Sequence, residues 1–190
     1  MSVSATRTRT RPDIGLALPV LAGIGILLLR LRILQTPDGT RVALLAAVFT
    51  TILLTSLLVP VPRDTCRLQP ALVTIVGLAG VGLAVLAAGR PVAAPMGSTA
   101  LPVAILAAVA EEALFRRAAY GWLERSGPAI AVLGSALLFA LVHVPLYGVA
   151  AFPVDLGAGL LLSWQRWASG TWTVPAATHT AANVLAVILR

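Results

Sequence analysis

The sequence has no lysine, a single cysteine, two histidines and few charged residues for its length. Charged side chains make up 11% of its 190 residues, whereas a water-soluble domain carries about 25%. Cys66 has no second cysteine in the chain, which excludes an intrachain disulfide and a cysteine-rich zinc site. The net charge of +7 comes from arginine alone. No basic stripe is interleaved with aromatic residues, so we expect no nucleic-acid partner.

What the chain has instead is apolar length, with 58% hydrophobic residues and a mean hydropathy of +0.94. Each apolar run is close to the roughly 20 residues that cross a bilayer. The runs cover 14–34, 42–61, 70–89, 100–123, 128–147, 148–165 and 172–189. This pattern predicts an all-α, polytopic transmembrane helix bundle of seven spans, with six and eight as the alternatives. The sixth run is the shortest and is interpreted as tilted or partly re-entrant.

One integral membrane domain is predicted, in three stretches: a disordered basic tail over 1–13, scaffold helices over 14–99 and polar-bearing helices over 100–190. We expect the lipid bilayer of a bacterial cell as its surroundings and leave its oligomeric state open.

Arginines in short loops set the orientation of a membrane protein. Eight arginines on one side against five on the other favour a cytoplasmic N-terminus. The cytoplasmic set is Arg7, Arg9, Arg11, Arg63, Arg67, Arg117, Arg125 and Arg166; the opposite set is Arg30, Arg32, Arg41, Arg90 and Arg190.

The first three runs carry almost no chemistry and are interpreted as scaffold and lipid contact. Gly77, Gly80 and Gly82 are small enough to let helices approach closely. The chemistry-bearing side chains gather in the C-terminal half. Ionisable groups inside a membrane cost about 2.5–3.5 kcal/mol each on insertion scales, so they mark functional sites by default.

The fourth run holds an adjacent acidic pair, Glu111 and Glu112, followed by Arg116. Residues four apart share one face of a helix, so Glu112 and Arg116 are expected to pair. Glu111 lies about 140° around the helix from Arg116, at 100° per residue. It is therefore predicted to point elsewhere, with a pKa that its surroundings can tune. The alternative is a structural ion pair near a helix end, which leaves Glu111 unexplained.

Two later runs each carry one histidine. Phe139 precedes His143 by one turn, and His179 shares a face with Asn183. The alternative roles are a hydrogen bond to a backbone carbonyl and polar contact between helices. Carboxylates, imidazoles and an amide together suit activation of water, either around a metal ion or without one. A covalent nucleophile is the weaker option, because no serine or threonine is paired with these bases.

These residues resemble the motifs of the CAAX prenyl protease and bacteriocin-processing (CPBP, or Abi) family of intramembrane proteases. The motifs E-E-x-x-x-R, F-x-x-x-H and H-x-x-x-N/D are matched at Glu111–Arg116, Phe139–His143 and His179–Asn183. The small-residue turn at 169–172 is also family-like, and the resemblance covers about 100–190. One departure is Arg117, where family members commonly have glycine, which puts the packing of that helix end in doubt.

The resemblance implies an intramembrane endopeptidase whose substrate is a peptide, a bacteriocin-like precursor or a membrane protein. It implies Glu111 as the water-activating carboxylate, Glu112 and Arg116 as its partners, and Asn183 as a donor to the oxyanion. His143 and His179 would be catalytic or, with Glu111, ligands of Zn²⁺; a metal-free mechanism fits the same residues. Supporting contacts are expected from Phe115 and Phe139. A non-catalytic scaffold or immunity-type protein and a small transporter are the rival functions.

One difficulty accompanies this prediction. With uniform steps of about 1.5 Å per residue along straight helices, His143 falls near the outer end of its span and His179 nearer the cytoplasmic end. Tilt, kinks at Pro145 and Pro175, or shifted helix boundaries would be needed to bring the two imidazoles together.

Overall fold

The structure is a computed structural model that describes residues 14–61, 66–88 and 100–189. Within those ranges the chain forms seven helical segments and no strand. The segments are α1 (Ile14–Leu28, continued by Arg30–Ile33), α2 (Asp38–Leu58), α3 (Pro70–Ala88), α4 (Ala100–Glu112, continued to residue 126), α5 (Pro128–Tyr147), α6 (Phe152–Ser169) and α7 (Thr173–Ile188). The prediction of an all-α helix bundle is confirmed, and the predicted basic tail over 1–13 lies outside the described residues.

The bundle is built for a membrane. Among the described residues, three helices are long and apolar enough to cross one, namely Gly15–Ile33, Asp38–Leu58 and Pro128–Tyr147. Two more, Pro70–Leu86 and Thr173–Ile188, are apolar but shorter. Large apolar side chains cover the outside of α1, α2, α3 and α5, as lipid contact requires. They include Leu18, Leu21, Leu54, Leu58, Ile75, Leu83, Leu86, Leu133 and Leu141. The chain is an integral membrane protein.

Two predicted boundaries were wrong by about four residues. The second helix begins at Asp38 rather than at residue 42, since an acidic side chain is favourable in a first turn. The sixth begins at Phe152 and ends at Ser169 instead of covering 148–165. Gly148 has a φ of +82° and breaks the chain direction there, and Pro153 starts the new helix at a position where proline is favoured.

That shift moves Arg166 from a predicted loop into α6, where it is buried, as is Arg30 at the end of α1. Neither arginine therefore belongs in the loop count that set the orientation. The orientation itself stays a prediction.

α4 lies at the centre of the bundle and packs against α2, α5 and α7, while α5 and α6 lie along each other. Leu114, Phe115 and Phe139 join side chains of α1 and α2 in the main apolar cluster. A Cβ at Gly77 would lie 2.1 Å from the amide nitrogen of Gln165, which confirms close approach there. A Cβ at Gly82 would meet nothing within 4 Å among the residues that the structure describes.

Directly after the acidic pair, α4 changes to a π-helix over Ala113–Ala119. Wider i→i+5 turns of this kind are rare and occur frequently at functional sites. The Nε atom of Arg166 donates to the carbonyl oxygen of Arg116 at 2.9 Å. Arg117 donates to the carbonyls of Ser56 and Val59 at the end of α2. The guanidinium of Arg117 thus joins this part of α4 to the end of α2.

Candidate active site

The two carboxylates of the acidic pair are buried at the centre of the bundle, with Glu111 4% and Glu112 0% exposed. Each has its own arginine, at N–O distances of 3.1 Å for Glu112 and 2.6 Å for Glu111. An unpaired carboxylate is costly in such surroundings, whereas a paired one with its hydrogen bonds made is tolerated. The two carboxylates and the two guanidinium groups thus form two buried ion pairs.

The predicted pairing of Glu112 with Arg116 is present in the structure. The NH1 atom of Arg116 donates to Oε1 of Glu112, and its NH2 atom donates to the carbonyl oxygen of Gly159 on α6 at 3.2 Å. The guanidinium carbon lies 4.5 Å from the centre of the Phe139 ring, in a cation–π contact. Arg116 thus ties α4 to both α5 and α6.

The partner of Glu111 comes from α1, which contradicts the expectation that the first three helices carry almost no chemistry. The NH1 atom of Arg30 lies 2.6 Å from Oε1 of Glu111, and its NH2 atom donates to the carbonyl oxygen of Val142 at 3.1 Å. Sequence reasoning assigned Arg30 to a loop. The available signal was its place inside the apolar row Leu27–Leu34, where a cation is expected to need a buried partner.

His143 presents one ring nitrogen to Glu111. Its Nδ1 atom lies 2.7 Å from the carbonyl oxygen of Phe139, and because a carbonyl only accepts, Nδ1 is the protonated nitrogen of the neutral ring. Nε2 then carries a lone pair, 3.7 Å from Oε2 of Glu111. The ring lies between Phe139 and Tyr147, at centroid distances of 4.4 and 5.8 Å. These contacts fix its orientation.

His179 is oriented in the same way by a different acceptor. Its Nδ1 atom lies 2.8 Å from Oε1 of Glu112, the oxygen that also binds Arg116. The carboxylate accepts from Nδ1–H, as in the carboxylate–histidine pairs that orient ligating or basic imidazoles. In the neutral ring Nε2 then carries the lone pair, 4.0 Å from Oε2 of Glu111. The two Nε2 atoms thus approach the same carboxylate oxygen.

The anticipated mismatch in depth between the two histidines does not keep them apart. His143 lies near the end of α5 and His179 near the start of α7, yet both reach Oε2 of Glu111. The prediction assumed parallel, straight helices that begin at equal depths. The end of α5 and the start of α7 both lie beside Glu111, so these two helices do not satisfy that assumption. The structure thus brings together five residues of the predicted set: Glu111, Glu112, Arg116, His143 and His179.

Asn183 lies one turn beyond His179 on α7. Its Nδ2 atom donates to the carbonyl oxygen of Ala104 on α4 at 3.1 Å, which occupies one of the two N–H bonds of the amide. Phe115 contacts Phe139 edge to face at a centroid distance of 5.6 Å. Phe139 in turn touches both imidazoles and Arg116. Both predicted aromatic supports lie against the polar cluster.

The candidate metal ligands were Glu111, His143 and His179. Their donor types suit zinc, and both imidazoles are in the tautomer that coordination needs. Glu111, however, already shares its other oxygen with a guanidinium cation at 2.6 Å. Across the residues that the structure describes, no group of three or more His, Cys, Asp or Glu side chains is arranged to hold a metal ion.

Comparison with known proteins gives one family. Residues 96–185 match the family model described as type II CAAX prenyl endopeptidase Rce1-like. No curated protein and no solved structure matched the chain. The matched region contains the acidic pair, both histidines and Asn183, in the order in which the motifs were recognised. The match supports the resemblance of this region, just under half of the chain, to the CPBP family of CAAX-type intramembrane proteases.

Proposed function

We propose that this protein is an endopeptidase that hydrolyses a peptide bond inside the membrane with a water molecule activated by Glu111. The single observation that carries the proposal is the approach of three polar atoms to one small volume. Oε2 of Glu111 lies 3.7 Å from Nε2 of His143 and 4.0 Å from Nε2 of His179. Both distances are too long for direct hydrogen bonds and suit a bridging water.

The proposed reaction follows from the protons already assigned. A water beside these groups would donate one hydrogen to Oε2 of Glu111 and the other to one of the two Nε2 atoms, and would present a lone pair to the substrate carbonyl. Glu111 takes one proton as the water oxygen attacks the carbonyl carbon. The C–N bond then breaks, and Glu111 returns that proton to the leaving nitrogen. The water oxygen and its second proton stay on the new carboxyl group.

Three further groups support the step without exchanging protons with the substrate. Glu112 keeps the His179 ring in its tautomer through the bond to Nδ1. Arg116 holds Glu112 and so fixes that oxygen. The second N–H of the Asn183 amide is the proposed donor to the oxyanion of the tetrahedral intermediate. The proposed reaction does not use a metal ion.

The test uses the full-length protein in lipid vesicles. Substrates are two fluorescence-quenched peptides, one ending in a farnesylated CAAX sequence and its unprenylated twin, together with mass spectrometry of new peptide termini in host membranes. We expect cleavage by the wild type and its loss in Glu111→Ala. The matched control is Glu124→Gln, on the same stretch of helix but outside the cluster, which should cleave normally.

Two results would contradict the proposal: full activity in Glu111→Ala, or no cleavage by the wild type in any of these assays. The metal-free form is tested with the same vesicles. Activity should persist after treatment with 1,10-phenanthroline, and metal analysis of the purified protein should find less than one zinc per chain. A loss of activity that added Zn²⁺ restores would replace this mechanism with a metal-dependent one.

A further inference from the structure

The first helix contributes a charged side chain to the cluster although it lies far outside the region that matches the family. That region begins at residue 96, whereas Arg30 lies in the short segment Arg30–Ile33 that continues α1. Arg30 is buried, and Arg32, two residues further on the same segment, is exposed. The two neighbouring arginines therefore face different surroundings, and only Arg30 enters the bundle.

Arg30 makes two hydrogen bonds with one planar group. NH1 binds Oε1 of Glu111 at 2.6 Å, and NH2 binds the carbonyl oxygen of Val142 at 3.1 Å. Val142 directly precedes His143 in α5. Because the guanidinium is a rigid fork, these bonds fix the Glu111 carboxylate relative to the backbone that carries His143. They join α1, α4 and α5 at one point.

This arrangement assigns different tasks to the two oxygens of Glu111. Oε1 is taken by the arginine, and Oε2 is the oxygen near both imidazoles. We propose that Arg30 is a positioning residue: it holds Glu111 with Oε2 turned toward His143 and His179 and neutralises its charge. The inference rests on the proposed function of Glu111. Arg116 does not replace it, since the Arg116 hydrogen bonds go to Glu112 and Gly159.

The first experiment compares Arg30→Met, Arg30→Lys and the matched control Arg32→Met on the peptide that the wild type cleaves. Misplacing a catalytic group by about 1 Å can cost about 100-fold in rate, so we expect Arg30→Met to lower kcat by about that factor with KM unchanged. Arg30→Lys should give an intermediate kcat, because an ammonium keeps the charge but cannot form the planar double contact. Arg32→Met should match the wild type.

The second experiment tests the pairing of Arg30 with Glu111 without an activity assay. Removing one partner of a buried ion pair leaves a charge uncompensated, so Arg30→Met should lower the Tm of the protein in detergent. Adding Glu111→Gln to Arg30→Met should recover part of that loss, because it removes the stranded carboxylate. Adding Glu112→Gln instead should lower the Tm further, since Glu112 pairs with Arg116.

Wild-type kcat in Arg30→Met, or equal responses of its Tm to the two glutamine substitutions, would overturn the inference. A fall in Tm with unchanged kcat and KM would reduce Arg30 to a structural contact and overturn it as well. These failures are distinct from failure of the proposed function. If Glu111→Ala is inactive while Arg30→Met keeps full kcat, only the role of Arg30 is wrong; if Glu111→Ala is active, the hydrolytic role of Glu111 is wrong.

Discussion

The two carboxylates of the acidic pair are adjacent in sequence, yet different parts of the chain hold them. Glu112 is bound by Arg116 from its own helix and by His179. Glu111 is bound by Arg30 from a helix 81 residues away and contacts the histidines only through a longer gap. Oε1 of Glu112 binds both of its partners directly, and its buried Oε2 has no hydrogen-bond partner among the described residues. Oε2 of Glu111 instead lies 3.7 and 4.0 Å from the two imidazoles. This difference is the basis of the proposed supporting role for Glu112 and reactive role for Glu111.

The largest effect is expected from breaking the pair inside α4. Arg116→Met removes the partner of a carboxylate that is 0% exposed, together with the bond to Gly159 and the contact with Phe139. Loss of one partner of a buried pair costs about 3–5 kcal/mol. We expect a correspondingly lower free energy of unfolding in detergent micelles and no cleavage. Normal stability in this variant would contradict the description of Glu112 as a carboxylate that depends on Arg116.

Helical periodicity found this pair and the common face of His179 and Asn183, because both relations are set within one turn. The contact of Arg30 with Glu111 joins residues 81 apart, and no local pattern reports which helices become neighbours. The seven helices were visible as apolar runs, whereas the start of α6 depends on the positive φ of Gly148. A hydropathy profile does not predict such a backbone conformation.

A smaller effect, on rate, is expected from Asn183→Ala. If the free N–H of this amide binds the oxyanion, its loss should lower kcat by about 10²–10³-fold, as for other oxyanion donors. KM should be unchanged, because the interaction forms only as charge develops. Steady-state kinetics on the cleaved peptide provides the measurement. An unchanged kcat with a lower Tm would instead show that the amide only joins α7 to Ala104.

The smallest effect is expected from substituting Arg117, the neighbour of Arg116 in the sequence. Arg117 lies outside the polar cluster and binds carbonyl oxygens at the end of α2. Hydrogen bonds from charged groups contribute about 1.5–3 kcal/mol, so Arg117→Met should lower the free energy of unfolding by about that amount. Cleavage by the folded fraction should stay at the wild-type rate. A loss of kcat in folded protein would extend the functional cluster beyond the residues that surround Glu111.

The ratio of kcat in Glu111→Gln to kcat in Glu112→Gln measures the proposed difference in role between the adjacent carboxylates. Both substitutions remove one charge and keep the size of the side chain. General-base catalysis contributes about 10²–10⁴-fold, whereas loss of a carboxylate that orients a histidine costs about 10–100-fold. We therefore expect Glu111→Gln to be the slower variant, with a similar KM in both. Equal rates, or a slower Glu112→Gln, would contradict it.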